Sequence, residues 1–263
     1  MDVSVFATDA YAGTRAEVWL GKKAPDGPVS PRETTEAVCY AWRENDCLQV
    51  RCFNGGVAIE FCGHGLLASA HAARLDGYLP ERLCSQFATY GVREEAGSLW
   101  LRCPVLPCTS FSRVPTDLFD RNSSLAAVAG GESGYWVLRW PDGFDLARLR
   151  PDLRAIARST GRAVIATAAG GDGDARLRYF APQYGNDEDT VTGSACVVLA
   201  DFWRDRLGDT LTFVQQSPRG GSVRTRHLGD SVEIGGRIEK VACRDDAEQP
   251  VHKENHSDHA LRR

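Results

Sequence analysis

Two short stretches of this chain place glycine where a buried helix would begin. Cys62-Gly63-His64-Gly65 opens the run GHGLLASAHAARL, which lacks proline and is small or apolar nearly all round. Thr192-Gly193-Ser194 opens GSACVVLADFWRDRL, apolar on most sides over its first turns. These patterns predict buried helices over Gly63–Leu75 and Gly193–Leu207. A helix start carries unpaired N–H groups and the positive end of the helix dipole. Glycine there lets a ligand approach the backbone closely. Two such starts facing one cleft could bind a carboxylate. Two ordinary core helices entered through tight turns fit the same residues.

The two stretches belong to a longer internal repeat. VRCFNGGVAIEFCGHGLLASAHAARL starts at Val50, and LRYFAPQYGNDEDTVTGSACVVLADFWRDRL starts at Leu177. Each begins with an Arg-x-Phe strand end, Arg51-Cys52-Phe53 and Arg178-Tyr179-Phe180, followed by a loop of about ten residues and the glycine-led helix. Two copies at half-chain spacing predict two similar lobes and not a solenoid, which needs at least three.

The elements around the helices read as short strands: Val3–Ala7, Ala16–Leu20, Val38–Trp42, Leu48–Phe53, Cys84–Tyr90 and Leu99–Cys103 before the midpoint. Pro104–Gly134 is turn-rich and reads as a crossover. Tyr135–Trp140, Ala163–Thr167, Arg176–Phe180, Leu211–Gln215, Ser222–Arg226, Val232–Ile234 and Ile238–Cys243 read as strands of the second half. Asp145–Ser159 alternates Arg with Leu, Ile and Ala and reads as an amphipathic outer helix, kinked or divided at Pro151. The organisation expected is an N-terminal lobe over 1–113, a C-terminal lobe over 114–244 and a disordered tail over 245–263. The tail's three histidines read as solvated and not as metal ligands.

The bulk properties exclude several classes. The 263 residues are 43% hydrophobic and 25% charged, with net charge −4, and no basic stripe suggests a nucleic-acid partner. The start, MDVSVFATDA, lacks the basic and apolar regions of a signal peptide. No apolar run approaches the roughly 18 residues of a membrane span. The nine cysteines include no CxxC pair and no zinc-finger spacing. They read as reduced and mostly buried thiols of a cytoplasmic protein, without a metal, in a chain too large to need disulfide staples.

Three motifs in order resemble one family. FAPQYGNDEDTVTGSA (180–195) resembles the FxPxxGxxEDPVTGSA motif of PhzF-like isomerases and epimerases. FCGHGLLASAH (61–71) resembles their xCGHATLAxAH, and QQSPRGGSVRTR (215–226) their Q-x-S-x-RGG strand pair. The resemblance covers most of the chain from Val38 to Val241. It implies the α+β diaminopimelate-epimerase-like fold, with two pseudo-symmetric lobes, each a small β-barrel around a central helix. It also implies proton transfer on a small carboxylate-bearing, amino-acid-like substrate, with no cofactor and no metal. The family's members are usually homodimers, and its namesake acts in phenazine biosynthesis, so a role in secondary metabolism such as antibiotic biosynthesis fits.

The resemblance also assigns residues. Thr35-Glu36-Ala37-Val38-Cys39 matches the family's glutamate pattern, so Glu36 is the expected proton shuttle. His64 matches the histidine after glycine; at a helix N-terminus the dipole disfavours its charged form, so a neutral imidazole is expected. Asp189 matches the aspartate of the ED pair. Gly63, Gly65, Gly193 and Ser194 are the expected substrate-binding N–H groups, with the Ser194 hydroxyl beside them.

Cys62 carries a rival chemistry. Proline racemases and diaminopimelate epimerases share this fold and use two opposed cysteines. Here Thr190 stands opposite Cys62, which disfavours a two-thiol racemase but leaves open a racemase- or dehydratase-like reaction using Cys62, as well as a small buried hydrophobe. A non-catalytic metabolite binder is the remaining alternative. The chain departs from the family pattern in three places: DAYAGTRAEVWL lacks the usual GNP, NGGVAIE replaces TPxxE with Ala58 near the place of a family acid, and Thr190 replaces proline. These point to an unusual substrate or a divergent reaction.

Overall fold

Alternating burial builds most of this molecule. In Gly221–His227, for example, Gly221, Val223, Thr225 and His227 point inward and the residues between them do not. The computed structural model describes residues 1–23, 36–113, 115–159 and 161–241. The expected tail (245–263) and Cys243 lie outside the described residues.

The first part of the chain forms β1 (Asp2–Ala7), β2 (Thr14–Gly21), β3 (Ala37–Glu44), β4 (Cys47–Asn54), β5 (Val57–Ala58), helix α1 (Gly63–Leu75), β6 (Arg82–Cys84), β7 (Thr89–Glu95) and β8 (Ser98–Pro104). Then follow β9 (Cys108–Phe111), β10 (Leu125–Ala129), β11 (Tyr135–Arg139), α2 (Leu153–Ser159), β12 (Ala163–Ala169), β13 (Ala175–Phe180), α3 (Gly193–Leu207), β14 (Thr210–Gln215), β15 (Gly221–His227), β16 (Ser231–Gly235) and β17 (Arg237–Lys240).

The strands form one continuous mixed sheet. It is parallel at β2–β3, β4–β6, β11–β12 and β13–β14 and antiparallel elsewhere. Two pairings join the ends of the chain: β16 lies against β8, and β17 against β1. Helix α1 packs on β1, β2, β3, β4 and β8, and α3 packs on β9, β14, β15 and β16. Both helices therefore sit inside strands, and their all-round apolar sequence follows. Almost every residue from Gly63 to Ala73 and from Gly193 to Ala200 is buried in one shared core. A second core gathers Trp140, Phe119, Phe180, Leu146, Leu149 and Ile156 beneath α2. No helix among the described residues is long and apolar enough to cross a membrane.

The helix bounds Gly63–Leu75 and Gly193–Leu207 are those the sequence predicts. Asp145–Ser159 is not one helix. It is a short 3-10 turn at Leu146–Arg148, an extended link through Leu149, and α2 after Pro151. Proline lacks the N–H a continuous helix needs. The carbonyls of Leu146 and Leu149 accept from Arg178 Nη1 at 3.1 and 2.9 Å instead. The Pro104–Gly134 crossover contains two paired strands, β9 and β10. The predicted strand at Cys84–Tyr90 is split between β6 and β7 by a turn in which the Ser85 hydroxyl accepts from the N–H groups of Phe87 and Ala88.

The cysteine reading needs one correction. Cys47 and Cys84 form a disulfide across a sequence separation of 37. Parallel pairing of Leu48 with Leu83 brings the two cysteines together, a register that cysteine spacing alone does not reveal. Cys39, Cys52, Cys62, Cys103, Cys108 and Cys196 are free, all but Cys108 buried. Closing a loop of this length restricts the unfolded chain by about 3–4 kcal/mol. Reduction, or Cys47→Ser with Cys84→Ser, is expected to lower the unfolding free energy by about that amount in urea titrations monitored by fluorescence. A midpoint unmoved by reductant would show that the bridge is absent or carries no stability.

Candidate active site

The two glycine-led helices meet end to end. A Cβ on Gly63 would stand 3.5 Å from the Gly193 Cα, and a Cβ on Gly193 the same distance from the Gly63 Cα. Each would also lie 3.0 Å from Ile234 Cδ1, tighter than an ordinary contact. Glycine at both positions is what lets the helix starts come this close. Neither start has a side-chain cap, and neither has an acid in its first turn. Unpaired N–H groups and two positive dipole ends are thus concentrated at one place. The two helix starts therefore face each other within the shared core.

Three acidic groups gather around this junction. Glu36, just ahead of β3, is clasped from several elements. Its Oε2 accepts from the Thr14 hydroxyl at 2.7 Å and the Arg15 N–H at 2.5 Å. Its Oε1 accepts from the Thr190 hydroxyl at 2.6 Å and Arg219 Nη1 at 3.2 Å. Thr14 and Arg15 belong to the N-terminal stretch that lacks GNP, so that stretch still packs on the glutamate. Thr190, where the family has proline, supplies a hydroxyl to the same carboxylate.

Asp189 precedes α3. Its Oδ1 accepts from the Thr190 N–H at 3.0 Å and its Oδ2 from the Thr192 hydroxyl at 2.5 Å. Burial pushes its carboxyl above the ordinary range; His64 and Thr192 oppose that shift, while Glu36 and Cys62 add to it.

The loop bearing Asp189 is wired by the QQSPRGG segment. Gln215, fully buried at the end of β14, accepts from the Thr192 N–H at 2.8 Å and donates to the Asp189 carbonyl at 2.7 Å. The Ser217 hydroxyl donates to the Thr190 carbonyl at 2.6 Å, and Arg219 reaches Glu36. The sequence motif marks this segment, but nothing in its spacing assigns Gln215, Ser217 and Arg219 their partners. Tyr135, whose hydroxyl interacts with Ser194, is a further neighbour that no motif marks.

His64 and Cys62 form the third feature. Both ring nitrogens of His64 lie 3.8 Å from Cys62 Sγ, with both residues buried. Burial alone would lower the His64 pKa, but Cys62, Asp189 and Glu36 outweigh it and raise the value to about 9. The Cys62 thiol is held well below its ordinary value by hydrogen bonds from Cys39 and Cys52 and, against burial, by His64. The two shifts oppose each other and are mutual: Cys62 is drawn toward a more acidic thiol and His64 toward a more basic imidazole. The direction at His64 is the reverse of what the dipole alone predicts for a neutral histidine. Glu36, His64, Asp189, Gly63, Gly65, Gly193 and Ser194 thus cluster at the helix junction, with Cys62 beside them. Ala58 lies on the exposed edge strand β5.

The match to a family model follows this geometry: residues 33–242 fit the model described as phenazine biosynthesis-like protein (PhzC-PhzF). The chain belongs to the PhzF-like family. It is 30% identical over 259 residues to an uncharacterized isomerase of Pseudomonas aeruginosa, covering 91% of this chain and 95% of that one. It is 25% identical to a rat phenazine biosynthesis-like domain-containing protein, with 90% and 85% covered. Among solved structures, a PhzF-family protein of Enterococcus faecalis superposes with a TM-score of 0.79 at 25% identity, covering 90% of this chain and 94% of that chain. A predicted epimerase of Pseudomonas aeruginosa, 18% identical with a TM-score of 0.63, shares the fold.

The Cys62–His64 pair has a pH signature. The folded His64 value lies above the ordinary 6.5. Its contribution to stability is therefore fully present below about pH 6.5 and is lost as pH rises through about 9. NMR titration of the His64 ring is expected to show a midpoint near 9, moving down in Cys62→Ser. A wild-type midpoint at or below 6.5 would mean that burial wins over the pairing.

Proposed function

We propose that this protein is a cofactor-independent isomerase that moves a proton, and with it a double bond, on a small carboxylate-bearing, amino-acid-like metabolite. The observation that carries the reading is the contact of two uncapped helix starts at Gly63 and Gly193, with Glu36, His64 and Asp189 around it. The names of the family's relatives, several of them isomerases, support the reaction class.

In this reading each buried helix and the strands around it form one lobe, and the substrate lies between the lobes. Its carboxylate takes the N–H groups of Gly63, Gly65, Gly193 and Ser194, where the dipoles favour an anion. Glu36 removes a proton from a carbon next to an alkene or carbonyl group. The electron pair left on carbon moves into the conjugated system, and a proton returns at another position. Glu36 can carry that proton. The His64 imidazolium and Asp189, whose pKa is raised, are the other donors within the cluster. The Thr190 hydroxyl on Glu36 Oε1 is the contact an entering substrate would displace. A homodimer and a role in secondary metabolism fit this reading through the family.

One observation favours a second reading: Cys62 Sγ lies 3.8 Å from the His64 ring, which helps hold its thiol below the ordinary value, as a base at this position would need. A racemase- or dehydratase-like reaction would then run through Cys62. The Thr190 hydroxyl is engaged with Glu36, so no second thiol serves the opposite face.

Deuterium uptake from D₂O into a panel of small unsaturated and amino-acid-like carboxylates, read by mass spectrometry without added cofactor, tests both. Uptake is expected, and Glu36→Gln is expected to slow it by about 10²–10⁴-fold, the range of a lost general acid–base. Uptake that survives Glu36→Gln but disappears in Cys62→Ser would transfer the reaction to the thiolate. Demonstrated binding with no uptake would make the protein a metabolite binder.

A further inference from the structure

Behind the active-site cysteine lie two thiols that the reaction does not use. Cys39 on β3 and Cys52 on β4 are directly paired across the antiparallel ladder, with their sulfurs 2.9 Å apart. Cys62 comes to them from the start of α1. The three sulfurs lie within 4.8 Å of one another, and no His, Asp or Glu among the described residues joins the group. The side chains converge on the space above Gly65. A Cβ there would stand 2.5 Å from Cys39 Sγ, 2.7 Å from Cys52 Sγ and 2.8 Å from Cys62 Sγ. Three thiols from three elements thus point at one spot that glycine leaves open. A pocket lined by Arg51, Cys52, Glu60, Cys62 and Phe87 leads from the surface to two of them.

We propose that Cys39, Cys52 and Cys62 form a trigonal, all-sulfur site for a monovalent thiophilic metal ion, copper(I) by donor type and number. Thiolates are the soft ligands that select copper(I) and zinc. Structural zinc takes four ligands, and this cluster offers three. A monovalent d¹⁰ ion is satisfied by three sulfurs in a plane. Metal–sulfur distances of about 2.3 Å require sulfurs about 4 Å apart. The Cys39–Cys52 edge must therefore open by about 1 Å, which side-chain rotation at the two residues can supply. Cys62 stands at the start of α1, whose positive end offsets the negative charge of the filled site. An ion here would engage the Cys62 sulfur that lies beside His64. The proposal concerns binding alone and does not depend on the proposed isomerisation.

The test uses the full chain, reduced and kept anaerobic, titrated with copper(I) from a coloured bicinchoninate complex. Wild-type protein is expected to withdraw one more copper(I) per chain than the Cys39→Ser, Cys52→Ser double variant, which keeps every other donor, including the histidines of the C-terminal segment. Loss of these two ligands should weaken this site by at least about 100-fold, beyond the roughly 10–100-fold typical of losing an outer-shell partner. Gly65→Ala, which fills the convergence point, is expected to weaken it as well; Cys103→Ser and Cys196→Ser are not. X-ray absorption of the wild-type protein at one equivalent is expected to show three sulfur neighbours, a readout that does not rely on any variant folding. Equal uptake by wild type and the double variant, or a first shell containing nitrogen or oxygen, would overturn the site. So would a Cys39–Cys52 disulfide that persists in the reductant.

Discussion

The contact between Gly63 and Gly193 is the constraint from which the rest of the site follows. Helix starts repel one another, because each presents the positive end of a dipole and unpaired N–H groups. Holding two of them in contact inside a core needs negative charge nearby, and the molecule supplies it without conventional caps. Neither helix has a capping side chain or a first-turn acid. The compensation comes instead from outside the helices: Glu36 before β3, Asp189 before α3, and Cys62 at the α1 cap, its thiol held below the ordinary value. Leaving the helix N–H groups uncapped keeps them free for a ligand.

Glu36 also shows why the site needs both parts of the chain. Its four donors come from Thr14, Arg15, Thr190 and Arg219, so one carboxylate ties the start of β2 to the loop before α3 and the turn after β14. Gln215 and Ser217 fix that loop through its backbone. The β8–β16 and β1–β17 pairings hold the same two regions together from the sheet. The position of the glutamate is therefore a property of the assembled fold and not of its own segment.

The parts legible in the sequence were those with a local cause. Both buried helices were readable to the residue, because all-round apolarity and a leading glycine are local signals. So was the grouping of Glu36, His64 and Asp189, through motifs. What escaped depends on strand register, between the separated strands β4 and β6 and between the neighbouring strands β3 and β4. The Cys47–Cys84 bridge follows from the Leu48–Leu83 register, and the three-thiol cluster from the Cys39–Cys52 register together with the cap of α1. Neither leaves a spacing in the sequence. The Asp145–Ser159 helix failed for another reason: its periodicity was sound, but Arg178 offered the carbonyls on either side of the break a better partner than a proline-interrupted helix could.

The charge on His64 shows which influence dominates at this junction. A helix start should discharge a histidine, and so should burial. Both act on His64, yet its value rises to about 9. Three negative groups near one ring outweigh a half-charge dipole end and the loss of water, because low-dielectric surroundings strengthen each pairwise attraction. The same argument links the two neighbouring sites. Cys62 is the largest influence raising the His64 value, while Cys39 and Cys52 are the largest influences lowering that of Cys62. A chain of contacts thus runs from the pairing of β3 and β4 through Cys62 to His64.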